Sequence, residues 1–339
     1  PLTRIGTDVG QDVTGRSVDG DQRQRGGFDR ARSARRQPGS AIKPLVLLEA
    51  FDDCGSRSPA YPARHILDEP LEIDLPSGPW RPENSDRRHR GIVTVRDALR
   101  DSLNVPFVRL SRWCGETSMA RTLRRTGLDL PRPVPPSFVL GAVETSPVDL
   151  AGAYTAIAGL GRRVRPRITR RIEKPGGWPI ERFGERQRQV VEPASAFLVH
   201  DLLRDVARKG TAEGANIEHL PIAAKTGTSS DRRDAWLAGY VGNLVVVVWV
   251  GRDDDRPLGL TGSAGAAPLW RAFVERATPA WPWQSIERPR GIVTRHIDPT
   301  TGLRVVRLHP RAEPELFRSG ALPPRDRWFR DDEPVDVID

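Results

Sequence analysis

Between Ile222 and Gly251 the sequence changes its period, and that change restricts the fold more than any other feature. Ile222–Ser229, Ala235–Val241 and Leu244–Gly251 are strand-length runs of small, β-branched and aromatic residues. Their linkers, Ser230–Asp234 and Gly242-Asn243, carry hairpin-type turn residues. Linkers this short join antiparallel neighbours only, since a parallel pair needs a crossover of a dozen residues or more. Upstream the apolar residues recur at helical spacing. The pattern predicts helices over Ser40–Phe51, Thr94–Cys114 (interrupted by Pro106), Ser118–Gly127, Ser146–Leu160 and Pro193–Lys209, and a last one over Pro268–Ala277. Ser146-Pro147 is a capping residue followed by a first-turn proline, and Gly210 closes its helix. Pro44 places the start of the first helix at or just before Ser40. Helices gathered first and an antiparallel sheet afterwards give a mixed α/β chain of the α+β class.

Residues 1–27 are polar and lack an apolar period, so they read as a frayed tail with at most a remnant of a strand. Residues 28–277 hold the periodic segments, although Cys54–Gly91 within them is proline-broken and loop-like. Residues 278–339 form a proline-rich extension with short strand-like pieces. The longest apolar run is far below the ~20 residues of a membrane-spanning helix.

A net charge of +9 draws attention to anionic partners. The arginines are scattered among acids, without the aromatic interleaving of a nucleic-acid reader, so nucleic acid is not an expected partner. More telling is the lysine count. Of 53 basic residues only four are lysines: Lys43, Lys174, Lys209 and Lys225. Arginine stays protonated in proteins, whereas a desolvated lysine can take a proton. The six histidines and two cysteines have no metal-ligand spacing, so neither a metal nor a cofactor is expected. Cys54 and Cys114 leave two readings open, one disulfide or two buried thiols.

Two of the four lysines fall in short motifs. Ser40-Ala41-Ile42-Lys43 puts a hydroxyl and an amine on one face of a helix start, where free backbone N–H groups stabilise an oxyanion. A neutral lysine there can remove the serine proton. Ser102-Leu103-Asn104 supplies a hydroxyl to relay a proton and an amide to hold a carbonyl. Lys225-Thr226-Gly227-Thr228 puts a cation and hydroxyls on a strand, an anion site with a glycine that admits another backbone. Each motif has an ordinary alternative: a helix cap, a helix end before Pro106, and a strand-to-turn transition. Chance occurrence of the three together is about one in a thousand at this composition.

The trio resembles the serine acyltransferases that include penicillin-binding proteins and serine β-lactamases. The flanking residues narrow the resemblance. Arg36-Gln37-Pro38-Gly39-Ser40, the stretch GAVETSPVDLAGAYTAIA at 141–158 and Asp234-Ala235-Trp236-Leu237-Ala238-Gly239 are similar to class A penicillin-binding proteins, the 1C type most of all. The resemblance implies a β-lactamase/transpeptidase-like fold, an all-helical lobe against a five-stranded antiparallel sheet flanked by helices. It implies D,D-transpeptidation of peptidoglycan stem peptides through a serine acyl-enzyme, with β-lactams as inhibitors. The alternatives are a carboxypeptidase or β-lactamase, or a sensor that binds penicillin without turnover. Carried over by position, Ser40 is the nucleophile, Lys43 its base, Ser102 and Asn104 the second catalytic motif. Lys225, Thr226, Gly227 and Thr228 bind substrate, and the N–H groups of Ser40 and Thr228 form the oxyanion hole. Glu144, an acid in a family-like segment, is expected to be structural. The resemblance further implies an extracytoplasmic location, a membrane anchor and glycosyltransferase domain upstream, and cell-wall assembly partners.

Overall fold

Helix α1, Lys43–Asp52, is the axis of the molecule. Its sequence KPLVLLEAFD is apolar around nearly its whole circumference, the pattern of a helix covered on every side. Leu45 through Leu48, Ala50 and Phe51 are fully buried. Glu49 is the exception in chemistry but not in burial, and its carboxylate accepts from Ser118 Oγ and, at 2.6 Å, from Thr122 Oγ1. The computed structural model describes residues 28–55, 57–167, 169, 171–174, 178–184, 186–326 and 337–339. The tail reading of residues 1–27 lies outside them.

The other helices enclose α1 and one another: α2 Val95–Arg100, α3 Val105–Cys114, α4 Glu116–Thr126, α5 Pro147–Ala158 and α6 Pro193–Lys209. As the sequence predicts, Ser146 caps α5 by accepting from Asp149 N–H, and Gly127 ends α4 in the left-handed region. The single helix predicted for Thr94–Cys114 is two, because the chain turns at 101–104 before Pro106. That turn becomes central below.

The three predicted strands are present as β3 Ile222–Thr228, β4 Ala235–Val241 and β5 Leu244–Val250. They form an antiparallel sheet in the order β5-β4-β3, with Lys225 opposite Ala238 and Gly227 opposite Trp236. These are three of the five strands the resemblance implies, and the described residues add no others to this sheet. β3 is therefore an edge strand. Helix α7, Ala267–Ala277, ties on through Trp270 Nε1, which donates to Val246 O at 3.0 Å.

One reading needs correction. The stretch 54–91 is not merely loop: β1 His65–Asp68 pairs antiparallel with β2 Gly91–Thr94, and Ile73–Leu75 pairs with Gly78–Trp80. Strands this short, paired across sequence separations of 23 to 29 or through an isolated turn, leave no period to detect. Of the two readings left open for the cysteines the structure takes the disulfide, in which Cys54 and Cys114 join the end of α1 to the end of α3.

Past α7, strands Ile292–Ile297 and Glu313–Arg318 pair antiparallel, and Val337–Ile338 adds to β1 in parallel. Arg318 donates to Phe51 O and Asp52 O, so this segment supplies donors to the carbonyl end of α1. Arg96 of α2 bonds Asp201 and Asp205 of α6 and Glu315 of the extension, holding the three elements together. Among the described residues no helix is long and apolar enough to cross a membrane.

Candidate active site

The turn that carries Ser40 is tighter than the sequence implies. Gly39–Ile42 is a 3-10 turn, and α1 begins only at Lys43, whose N–H bonds Ser40 O. In a 3-10 turn side chains three apart eclipse, so Ser40 and Lys43 stack more directly than on an α-helix. Tyr154 of α5 fixes this turn from below, its buried hydroxyl donating to Ala41 O at 2.6 Å. Two glycines let the edge strand press against it. Gly39 has φ +52°, and a Cβ there would lie 2.2 Å from Thr228 O. A Cβ on Gly227 would lie 2.1 Å from Pro38 O. The backbones of the first and third motifs are thus in direct contact, which any larger residue would prevent.

The second motif lies between two lysines. Lys43 Nζ is fully buried and reaches Ser102 O at 2.8 Å, Leu103 O at 2.8 Å and Asn104 Oδ1 at 2.7 Å, with the Phe107 ring centroid 5.3 Å away. Lys225 Nζ, also fully buried, reaches Ser102 Oγ at 2.8 Å, Thr226 O at 3.1 Å and Thr211 Oγ1 at 3.2 Å. Ser102 is held by both lysines at φ +60°, a left-handed conformation that costs a non-glycine residue about 1 kcal/mol. Ser40 and Thr228 remain partly exposed to solvent, unlike the two lysines.

Burial sets the electrostatics. It pulls Lys43 well below the ordinary lysine range, and the charge of Lys225 lowers it further. Burial likewise brings Lys225 down to about 7. The hydrogen-bond partners of both amines, among the described residues, are carbonyls, an amide and hydroxyls rather than carboxylates. Glu144 is exposed to solvent. An amine without a carboxylate partner in a dry site is suited to cycle between neutral and charged forms.

The structure thus brings Lys43, Ser102, Asn104 and Lys225 into one hydrogen-bonded network. Ser40 stands on the turn above Lys43, and Gly227 and Thr228 touch that turn. Thr226 Oγ1 reaches the network through Thr211 Oγ1 at 2.9 Å, and Thr228 Oγ1 accepts from Gly262 N–H at 3.0 Å. Sequence reasoning missed Thr211, Asn84 and Tyr154. Thr211 follows the helix-ending Gly210, a position that a search for the first side chain after a helix stop would have reached. Asn84 sits in the supposed loop and donates no periodic signal. Arg36 and Asp234, part of the resemblance, brace the site from outside. Arg36 bonds Asp255 Oδ1 at 3.0 Å and Arg252 O at 3.0 Å, while Asp234 accepts from Trp249 Nε1 at 2.8 Å and Ser229 Oγ at 3.0 Å.

Comparison with known proteins decides the family. The sequence model of the penicillin-binding protein transpeptidase domain matches residues 15–275. The chain belongs to that family. Penicillin-binding protein 1A of Neisseria lactamica is 32% identical over 318 residues, 90% of this chain and 39% of that protein. Penicillin-binding protein 1B of Escherichia coli is 33% identical over 270 residues, 77% of this chain and 31% of that protein. The chain thus spans about two fifths or less of these curated relatives, and it is a class A transpeptidase domain. Among solved structures, penicillin-binding protein 1A from Haemophilus influenzae superposes with TM-score 0.79 at 25% identity, covering 88% of this chain and 50% of that one. Penicillin-binding protein A from Mycobacterium tuberculosis, solved as a ceftriaxone acyl-enzyme complex, gives TM-score 0.62 at 26% identity over 74% of this chain and 62% of its own. These relatives bear on the class rather than on the 1C type, and they carry the β-lactamase/transpeptidase-like fold that the sequence suggested.

Proposed function

We propose that the chain is a D,D-transpeptidase that cross-links peptidoglycan stem peptides through an acyl-enzyme on Ser40. The observation that carries the reading is the convergence of two fully buried lysines, far apart in sequence, on the single residue Ser102. Neutral Lys43 takes the Ser40 proton as Oγ attacks the carbonyl of the penultimate D-alanine. The resulting ammonium finds three acceptors already in place, Ser102 O, Leu103 O and Asn104 Oδ1. The developing oxyanion is held by the N–H groups of Ser40 and Thr228, each donor worth about 3 kcal/mol in other acyl-transfer sites. Ser102 Oγ passes its proton to the departing D-alanine amine and takes one in turn from Lys225, whose Nζ donates to it. An acceptor amine then attacks the Ser40 ester, its surplus proton passes through Ser102 to Lys225, and Ser40 recovers its own proton from Lys43.

The donor peptide lies along β3 as an added edge strand, its terminal carboxylate near Lys225, Thr226 and Thr228. The disulfide supports an oxidising, extracytoplasmic location. By likeness to its relatives, the complete protein carries a membrane anchor and a glycosyltransferase domain and works with cell-wall assembly proteins. The test is a stem-peptide donor ending in D-Ala-D-Ala, supplied with an amine acceptor. Release of D-alanine with formation of the cross-linked product is expected, and a donor with an amidated C-terminus should react poorly. Hydrolysis without transfer would favour the carboxypeptidase reading, and no reaction of a folded chain would refute both.

A further inference from the structure

Asn104 directly precedes helix α3, and an asparagine at that position ordinarily caps its own helix by bonding an N–H one turn along. Here it does not. No side-chain capping bond is made from Asn104, whose Oδ1 faces Lys43 at 2.7 Å and whose Nδ2 donates to Glu83 O at 2.7 Å. The capping is done by Asn84. Its Oδ1 accepts from the N–H of Asn104 at 2.7 Å and of Val105 at 3.3 Å. Pro106, next along, has no N–H to satisfy, and the Phe107 N–H bonds Asn104 O at 3.1 Å. Asn84 is itself fixed. It is 3% exposed, and its Nδ2 donates to both oxygens of Asp68, at 2.8 and 3.0 Å, and to Arg88 O at 2.8 Å. Asp68, at the end of β1, is fully buried and also accepts from Arg90 N–H at 3.0 Å. His89 Nδ1 and Arg90 Nη1 stand 3.7 and 3.9 Å from its oxygens.

We propose that Asn84, backed by Asp68, is a positioning residue for acylation: it holds the N–H groups of Asn104 and Val105 and so fixes the turn from which the Asn104 amide meets Lys43. The unit fixes Asn84 in one orientation, since a carboxylate beside Nδ2 prevents the amide from flipping. If Asn84 is lost, the N–H groups of Asn104 and Val105 lose their acceptor, and the turn that aims the Asn104 oxygen at Lys43 loosens. The proposal rests on the reading of Ser40 as nucleophile and Lys43 as base.

Acylation of the full chain by penicillin G, followed as intact mass against time, tests it. The rate constant is taken per acylable molecule, so partial unfolding lowers the amplitude and not the rate. Asn84→Ala should slow the limiting acylation step about 10- to 100-fold, as misplaced supporting groups do elsewhere, while the half-saturating penicillin concentration changes little. Its acid limb should move to higher pH, because water admitted beside Lys43 relieves part of the burial facing that amine; Lys225 is the other charged group facing it. Asn84→Asp is the second variant and decides alone if Asn84→Ala yields no acylable fraction. It keeps the acceptor for both N–H groups but sets two carboxylates together, which share a proton at low pH. It should acylate near the parent rate at low pH and fall away as pH rises. Parent-like rates and pH profiles in these variants, or a slower rate with an unmoved acid limb in Asn84→Ala, overturn the proposal. A folded parent that is never acylated refutes the Ser40 reading instead.

Discussion

Gly227→Ala is the smallest change that forces the first and third motifs apart. The added Cβ would stand 2.1 Å from Pro38 O and 3.0 Å from Ala41 Cβ, about 1.3 Å short of the 3.4 Å at which ordinary contact begins. Both neighbours belong to the turn that carries Ser40, and the nearest atom is backbone, so no side chain can swing away. Gly227 has no left-handed φ, so the cost is steric only. Overpacking of this kind destabilises by about 1–3 kcal/mol, a melting temperature lower by roughly 2–12 °C for a domain of this size. The functional cost should be larger. The N–H groups of Ser40 and Thr228 flank the contact, and separating them by ~1 Å should slow acylation ~100-fold, or about 2.7 kcal/mol in the barrier. Labelling kinetics with a fluorescent penicillin measure this directly. Gly184→Ala is the control, because a Cβ there meets open space and the residue needs no left-handed φ. If Gly227→Ala labels within about threefold of the parent, the backbone contact does not set the oxyanion geometry.

Lys43→Arg should lose acylation by at least ~100-fold while remaining folded, because a guanidinium cannot accept the serine proton; near-normal labelling would remove Lys43 from the base role. Lys225 titrates at about 7 in the folded chain and near 10.4 unfolded, so between those values the unfolded chain holds the extra proton. Unfolding should therefore become harder as pH rises from 7 towards 10, by up to about 1.4 kcal/mol per pH unit from this group. Urea titrations across that range should show a shallower slope for Lys225→Met, and equal slopes would contradict the burial argument. Cutting the Cys54–Cys114 link, which spans a sequence separation of 60, should cost up to about 4 kcal/mol by loop entropy. Chemical denaturation of the double Cys→Ser variant checks it, and an unchanged midpoint would show that the link constrains nothing.

The features legible in the sequence were those that reside in one segment. Pro193–Lys209 was predicted at both ends because Pro193 and Gly210 bracket an amphipathic run. The three strands after Ile222 announced themselves through short turns and β-branched residues. The motif residues Lys43, Ser102, Asn104 and Lys225 were found by type and spacing, and the structure brings them together. What escaped depends on pairing between distant segments. β1 is four residues long and gains its identity only from Gly91–Thr94 and Val337–Ile338. The left-handed Ser102, the 3-10 turn at Ser40 and the capping of α3 by Asn84 are imposed by neighbours that no local pattern records. Cys54 and Cys114 gave no spacing to choose between thiols and a disulfide, and only the packing of α1 against α3 decides it.

The central claim is that Ser40 forms an acyl-enzyme, and mass spectrometry of the penicillin-treated chain tests it most directly. A β-lactam presents its strained amide to the same serine. Its leaving amine stays tethered after ring opening, so it blocks the approach of an acceptor or of water. Among the described residues, no carboxylate stands among the hydrogen-bond partners of Lys43 or Lys225 to activate that water. One long-lived adduct is therefore predicted, mapped by digestion to the peptide holding Ser40 and absent in Ser40→Ala, with a cooperative melt confirming the fold of both proteins. A folded chain that carries no adduct, or one that carries it on another residue, would contradict the account. Rapid release of hydrolysed drug would replace it with a β-lactamase.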